Sequence, residues 1–284
     1  LAASKTDFEA GNRKKLFARV ATGDYDAVIV PHSSFGKIEV DPKAQAEYID
    51  SMVADLAESL KAVKEAEGGG KDSRNVKQIQ AQIQLLKEKQ KKLLDAGRKD
   101  DSLYFNELGV DQLFVDEAHE FKNLAYSTSM QRVAGLGSKE GSQKASDLHL
   151  KVQQVLDATG GRNVVFATGT PISNTMAEMF TMQRYLDGKG LQERGLSHFD
   201  AWARMFGEVV NDWEISPAGK YKLNSRFAKF TNMPELMQRY SGFADVINRD
   251  DIRAQLRAQG KDLPVPNMVG GKPENVVVDR SPHQ

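Results

Sequence analysis

The feature that most constrains this chain is a pair of short apolar runs, each stopped by polar residues. Residues 112–119, QLFVDEAH, are strand-like and run into Asp116, Glu117 and His119; residues 163–171, NVVFATGTP, form a second buried-looking strand. Between them, residues 146–158 carry helical periodicity with Ser146 as the expected cap, and Gly160-Gly161 ends that helix. A further helix is expected over 175–187. Strand, helix and strand in this order predict a parallel sheet in an α/β layer. Residues 26–31, DAVIVP, are apolar on both faces and suit a central strand of the same sheet, after a helix over 7–20.

Residues 41–101 follow a different rule. Ile49, Val53, Leu56, Leu60 and Val63 recur at spacings of four and three, as do Val76, Ile79, Ile83, Leu86 and Leu93 after Gly68-Gly69-Gly70. Two such seams joined by glycines predict an antiparallel helical hairpin, inserted into the α/β layer and projecting from it. Residues 44–66 hold five acids and two lysines, whereas 71–99 hold nine Lys/Arg and three acids. Lys87, Lys89, Lys91 and Lys92 can meet nucleic-acid phosphates, although such residues are more often a coiled coil's solvated face. Residues 196–262 read as mainly helical, with Trp202, Phe206, Trp213, Phe227 and Phe230 available for packing, and 274–279 as a lone strand. The Met176, Met179, Phe180 and Met182 group reads as core packing.

Composition narrows the function classes. Lys+Arg and Asp+Glu both number 39, so nucleic-acid contact requires a local basic patch. There is no cysteine, which rules out disulfides and thiolate metal sites and fits a reducing, cytoplasmic setting. No apolar run approaches the ~20 residues that span a bilayer.

Two motif matches fail on inspection. HEFKN (119–123) has Asn123 where a zinc hydrolase needs its second histidine. GGGKDS (68–73) lacks the first glycine, the Ser/Thr after the lysine and the preceding strand of a phosphate loop. Asp116 and Glu117 are better placed, because open α/β sheets bind ligands beyond the carboxyl ends of their strands. At that edge one acid can hold Mg²⁺ and another can activate water. The bland alternative is a strand running into an acidic helix start. The second strand brings the hydroxyls of Thr168 and Thr170 to the same edge, with Gly169 permitting close backbone approach.

Taken together, D-E-A-H at 116–119 and T-G-T-P-x-x-N at 168–174 resemble motifs II and III of superfamily 2 helicases and translocases, in the Swi/Snf-like branch. The phrases TGDYDAVI, GVDQLFVDEAHEFKNL, TMQRYL and HFDAW are similar to those of large helicase-methylase proteins of phages, plasmids and other mobile elements. The resemblance implies a RecA-like lobe using ATP and Mg²⁺ and acting on DNA, double-stranded by expectation. Asp116 would hold Mg²⁺ through water and Glu117 would position or deprotonate the attacking water. His119 would couple the nucleotide to Thr168, Gly169, Thr170, Pro171 and Asn174. His32, Ser33 and Ser34 fall on a nucleic-acid-contacting loop, while Lys122 and Asn123 face DNA or solvent, with solvent favoured. The implied organisation is a first lobe part (1–40), the hairpin (41–103), the motif-bearing part (104–187), a helical extension (188–266) and a connection (267–284). The phosphate-binding loop is expected upstream of Leu1 and the second lobe downstream, so these 284 residues alone are expected to be inactive. The alternative is a degenerate RecA-like module that binds nucleic acid or a partner without hydrolysis.

Overall fold

The computed structural model describes residues 1–66, 74–95, 103–130, 133–137, 139–215, 219–261 and 276–277. In chain order the longer elements are α1 (Ala10–Thr22), α2 (His32–Phe35), α3 (Pro42–Ala66), α4 (Arg74–Asp95), β1 (Leu113–Val115), β2 (Val133–Ala134), α5 (Gln143–Ala158) and β3 (Val164–Phe166). They continue with α6 (Ala177–Leu186), α7 (Gly188–Glu193), α8 (Phe199–Phe206), β4 (Gly207–Ile215), β5 (Tyr221–Phe230), α9 (Met233–Phe243) and α10 (Arg249–Ala258). The architecture is mixed α/β.

The expected strand–helix–strand unit is present. β1 and β3 pair in parallel, with Leu113 opposite Val164, Phe114 opposite Val165 and Val115 opposite Phe166. The crossover helix α5 starts four residues before the expected Ser146: Ser142 is the cap, its hydroxyl accepting the Ala145 N–H at 3.2 Å. α5 and α6 cover one face of the pair, where Val115, Leu148, Val152 and Tyr185 are buried together. The other face is open, with Phe114 69% exposed. The expectation of a buried strand at 163–171 is therefore corrected: Val165 is 43% exposed, since among the described residues helices pack on one side.

DAVIVP is also corrected. It joins neither β1 nor β3; Ile29 makes an isolated parallel bridge with Ala2, exchanging backbone hydrogen bonds with Leu1 and Ala3 at 2.8 and 2.9 Å. Phe8, Leu16, Phe17, Ile38 and Phe105 form a separate small core beside it.

The two amphipathic helices form as their seams require. Leu56, Val76 and Ile79 are buried against each other, with Leu60, Ile83 and Leu86 packed alongside. The glycine turn at 68–70 lies outside the described residues. The hairpin does not stand free of the α/β layer: Tyr48 on α3 lies 5.3 Å from the His149 ring on α5, and Glu58 reaches His198 at 2.6 Å.

The largest departure lies at 207–230. This stretch, read as mainly helical, is an antiparallel hairpin with Trp213 opposite Leu223 and Ile215 opposite Tyr221. Its alternation of β-branched or aromatic residues with polar ones, in GEVVNDWEI and YKLNSRFAKF, is the signal for strands. β2 adds to β5 in parallel. Phe199, Trp202, Phe206 and Phe227 pack with Phe180 and Met179 into a core, whereas Trp213 is 64% exposed and packs on nothing there.

Two compact units divide the chain at Tyr240 and Ser241. The elements through β5 belong to the first. In the second, Asn248 and Asp251 form a reciprocal capping box on α10. Of the strand expected at 274–279, Val276 and Val277 are described, outside any strand; the rest lies outside the described residues.

Candidate active site at the strand ends

β1 ends at Val115, and the next two residues turn sharply. Glu117 adopts a left-handed conformation, φ 47° and ψ 46°, and its N–H donates to Asp116 Oδ1 at 2.9 Å. A non-glycine residue in this region costs about 1–2 kcal/mol, and such residues concentrate at functional sites. The turn leaves both carboxylates in solvent at the strand's carboxyl end, with Glu117's side chain 61% exposed.

The motif after β3 comes to the same edge. Ala118 N–H donates to Ala167 O at 3.0 Å, and Ala167 N–H to Val115 O at 2.8 Å, so the ladder continues past the strands. His119 Nδ1 lies 3.1 Å from Thr168 Oγ1 and 3.2 Å from Glu117 Oε2. Nδ1 carries at most one hydrogen, so a proton there can favour Glu117 or Thr168 but cannot fully serve both. Thr168 Oγ1 also accepts the Thr170 N–H at 3.1 Å. Asp116, Glu117, His119, Thr168 and Thr170 thus form one connected cluster.

The remaining expected residues are placed unevenly. Gly169 is exposed, and a Cβ there would meet nothing within 4 Å. Pro171 is half-buried and Asn174 exposed. His32 packs edge-on against Phe121, ring centroids 5.0 Å apart, which brings α2 beside the carboxylate loop. Ser33 is exposed, whereas Ser34 is 1% exposed and faces inward. Lys87, Lys89, Lys91 and Lys92 are exposed along α4, whose partner is α3.

Lys122 contacts neither solvent freely nor an open groove. Its ammonium donates to Ser173 Oγ and lies 3.3 Å from Glu178 Oε1, the two side chains being 13% and 6% exposed. Glu178 Oε2 accepts the N–H groups of Ser173 and Asn174 at 2.7 and 3.2 Å. Burial opposes the charge on Glu178, but these amides and Lys122 outweigh it and hold the carboxyl below its ordinary value. Sequence reasoning missed this pair. The available signal was the capping-box form Thr175-Met176-Ala177-Glu178, in which a helix's first-turn glutamate reaches back to preceding amides.

A second missed pair braces α2. Lys151 is fully buried; it donates to Phe35 O at 2.8 Å and Asp147 Oδ2 at 2.6 Å, and lies 4.2 Å from the Phe35 ring centroid. Burial pushes the lysine down and the aspartate up.

Among the described residues, no group of three or more His, Asp or Glu could hold a metal ion unaided. One exposed carboxylate beside another still suits Mg²⁺, which keeps most of its waters and takes one or two protein carboxylates alongside substrate phosphates.

The fold defines a mixed α/β protein with a small parallel sheet, whose two strands both end in polar loops at one edge. A family described as "Probable helicase domain" matches residues 1–247, and the chain belongs to that family. It is 21% identical over 235 residues to the Defense against restriction protein B of Escherichia phage P1. That match covers 81% of this chain and 10% of the phage protein, so the chain spans about a tenth of its relative's length. No solved structure matches. No helix among the described residues is long and apolar enough to cross a membrane.

Proposed function

We propose that this chain is part of the first RecA-like lobe of an ATP-dependent DNA translocase or helicase, in the Swi/Snf-like branch of superfamily 2. The observation that carries this reading is the contact of His119 with both Glu117 and Thr168, which joins the two motif loops at one sheet edge. Asp116 would hold Mg²⁺ through water. Mg²⁺–ATP, when bound, supplies the phosphoryl group and the charge that offsets its developing negative charge. Glu117, aimed outward by its left-handed backbone, positions the attacking water and accepts its proton. His119 senses that event, because protonation or movement of Glu117 changes which partner its Nδ1 serves. Thr168 carries the change into the second loop. Likeness to a phage protein named for defence against restriction supports a mobile-element parent, and a methylase in the same polypeptide belongs to this reading.

The test uses the intact parent protein with double-stranded DNA. Glu117→Gln keeps the shape of the side chain but cannot accept a proton, so ATP turnover should fall ~10²–10⁴-fold with nucleotide binding largely kept. Asp116→Asn should weaken the Mg²⁺ dependence instead. Near-normal turnover in Glu117→Gln would remove the assigned role. A parent that binds DNA but never hydrolyses ATP would favour a non-hydrolysing binding module.

A further inference from the structure

α6 lies along the segment that follows the carboxylates and holds it at several points. The Tyr185 hydroxyl lies 3.1 Å from Phe121 O, Thr181 Oγ1 donates to Lys122 O at 2.8 Å, and Arg184 Nη1 donates to Ala125 O at 2.6 Å. These contacts fix the first loop to α6, yet none of them touches the second loop. Glu178, one turn before Thr181 on the same helix, does both: it binds Lys122 from the first loop and the Ser173 and Asn174 amides of the second. Lys122 completes the circuit by donating to Ser173 Oγ.

Among the described residues, side chains therefore join the two loops at two places, beyond the backbone ladder between Ala118 and Ala167. One join is His119–Thr168 at the carboxylates; the other is Lys122–Glu178, set back from them and shielded from water. A largely buried, hydrogen-bonded ion pair is costly to break, because removing one partner leaves the other charge desolvated and unpaired. It is also directional, and so fixes register between the segments it joins. The stretch between the joins, Gly169 to Ile172, exposed except at Pro171, is tethered at both ends.

We propose that Lys122 and Glu178 are a positioning pair, which locks the Thr168–Asn174 loop to the Asp116–Lys122 loop so that a displacement of either is passed to the other. Neither residue touches nucleotide or water in the reaction; they act through Thr168 and His119. This role rests on the motor reading above, in which Glu117 serves ATP hydrolysis and Thr168 carries the change into the second loop.

Two measurements separate the pair's role from that reading. The first is amide hydrogen exchange on residues 1–284 without ligand. Lys122→Met and Glu178→Gln should each speed exchange about tenfold at the 168–176 and 116–122 peptides. The peptide covering α8 should be unchanged, and Lys122→Arg should resemble the wild type. The second measurement is DNA-stimulated ATP hydrolysis by the parent. Each single variant should lower the stimulated kcat about tenfold while KM for ATP stays within about twofold, a coupling of ordinary allosteric size. The double variant should be no worse than either single one, because residues acting as a unit are not additive.

Unchanged exchange at 168–176 in both single variants would overturn the proposal. So would faster exchange throughout the unit including α8, which means general fold support, or kinetic losses that add in the double variant. A wild-type parent without ATPase activity would sink the motor reading and leave the exchange result to judge the lock.

Discussion

At the scale of single residues, backbone conformation separates positions the fold needs from positions a ligand would need. Glu117 sits at φ 47°, a region that penalises every residue with a Cβ. Glu117→Gly should therefore leave stability unchanged or raise it by up to about 1 kcal/mol while removing the carboxylate. Urea unfolding checks this, and a clear loss would mean that the glutamate's contacts outweigh its strain. Gly141 and Gly169 make a contrasting pair. Gly141 has φ +69°, and a Cβ there would lie 2.4 Å from the Ala125 amide nitrogen, whereas nothing lies within 4 Å of a Cβ at Gly169. Gly141→Ala should cost at least about 2 kcal/mol, through strain and backbone displacement, and Gly169→Ala less than about 0.5 kcal/mol. On the proposed motor reading, loss of ATP turnover in Gly169→Ala without loss of stability would mean that the glycine serves an approaching ligand and not the fold.

At the scale of elements, the helical hairpin shows how far a periodic pattern can be read. Its seams predicted two helices that pack on each other, and Leu56, Val76 and Ile79 do so. What they did not reveal is docking onto α5 and onto His198, which caps α8. Tyr48 and Glu58 stand off the seam, and their partners His149 and His198 lie far away in sequence. Replacing residues 44–97 with a short linker should therefore lower the melting temperature and not leave it untouched, because the linker cannot cover the His149 face. Tyr48→Ala isolates one contact and should cost about 2 kcal/mol, the scale of removing one large, partly buried side chain. Circular dichroism melts of both variants test this; an unchanged melt in each would mean that the docking contacts add nothing to stability. The β4–β5 hairpin teaches the opposite lesson. Its two-residue alternation was present in the sequence, but aromatic residues at 202–230 also fit a helical core, and Trp202 and Phe206 are indeed helical.

At the scale of the whole molecule, buried ionisable groups set the response to acid. Burial, reinforced by the nearby Arg184 charge, pushes His149 down from 6.5 to about 3. Its folded form resists a proton that the unfolded chain accepts, so its contribution to stability is full above about pH 6.5 and declines as pH falls towards 3. Each pH unit in that window costs about 1.4 kcal/mol for one such proton. Between pH 6.5 and 5.0 the loss should reach about 2 kcal/mol, and His149→Phe, which keeps a ring between Tyr48 and Tyr185, should flatten it. Below pH 5 the partly buried carboxyls of Asp55 and Asp147, both raised by desolvation, oppose the trend because they hold protons more readily when folded. Denaturant unfolding at several pH values checks the slope, and an equal slope in His149→Phe would assign it elsewhere.

Local pattern was enough to determine the β1–α5–β3 unit, the two hairpin helices and the residues that close each strand. Those features depend on the periodicity of neighbouring side chains and on chemistry carried within a few positions. Tertiary structure alone decided that Ile29 bridges to Ala2 and that 26–31 does not join β1, that Ser34 is buried, and that Lys122 turns inward to Glu178. A strand's apolar residues say that it must pair but not with which partner. A lysine near a motif looks the same in sequence whether it faces a ligand or a carboxylate 56 positions away. That choice depends on which distant segment the folded chain brings within a few ångströms, and here α6 brings Glu178 to within 3.3 Å.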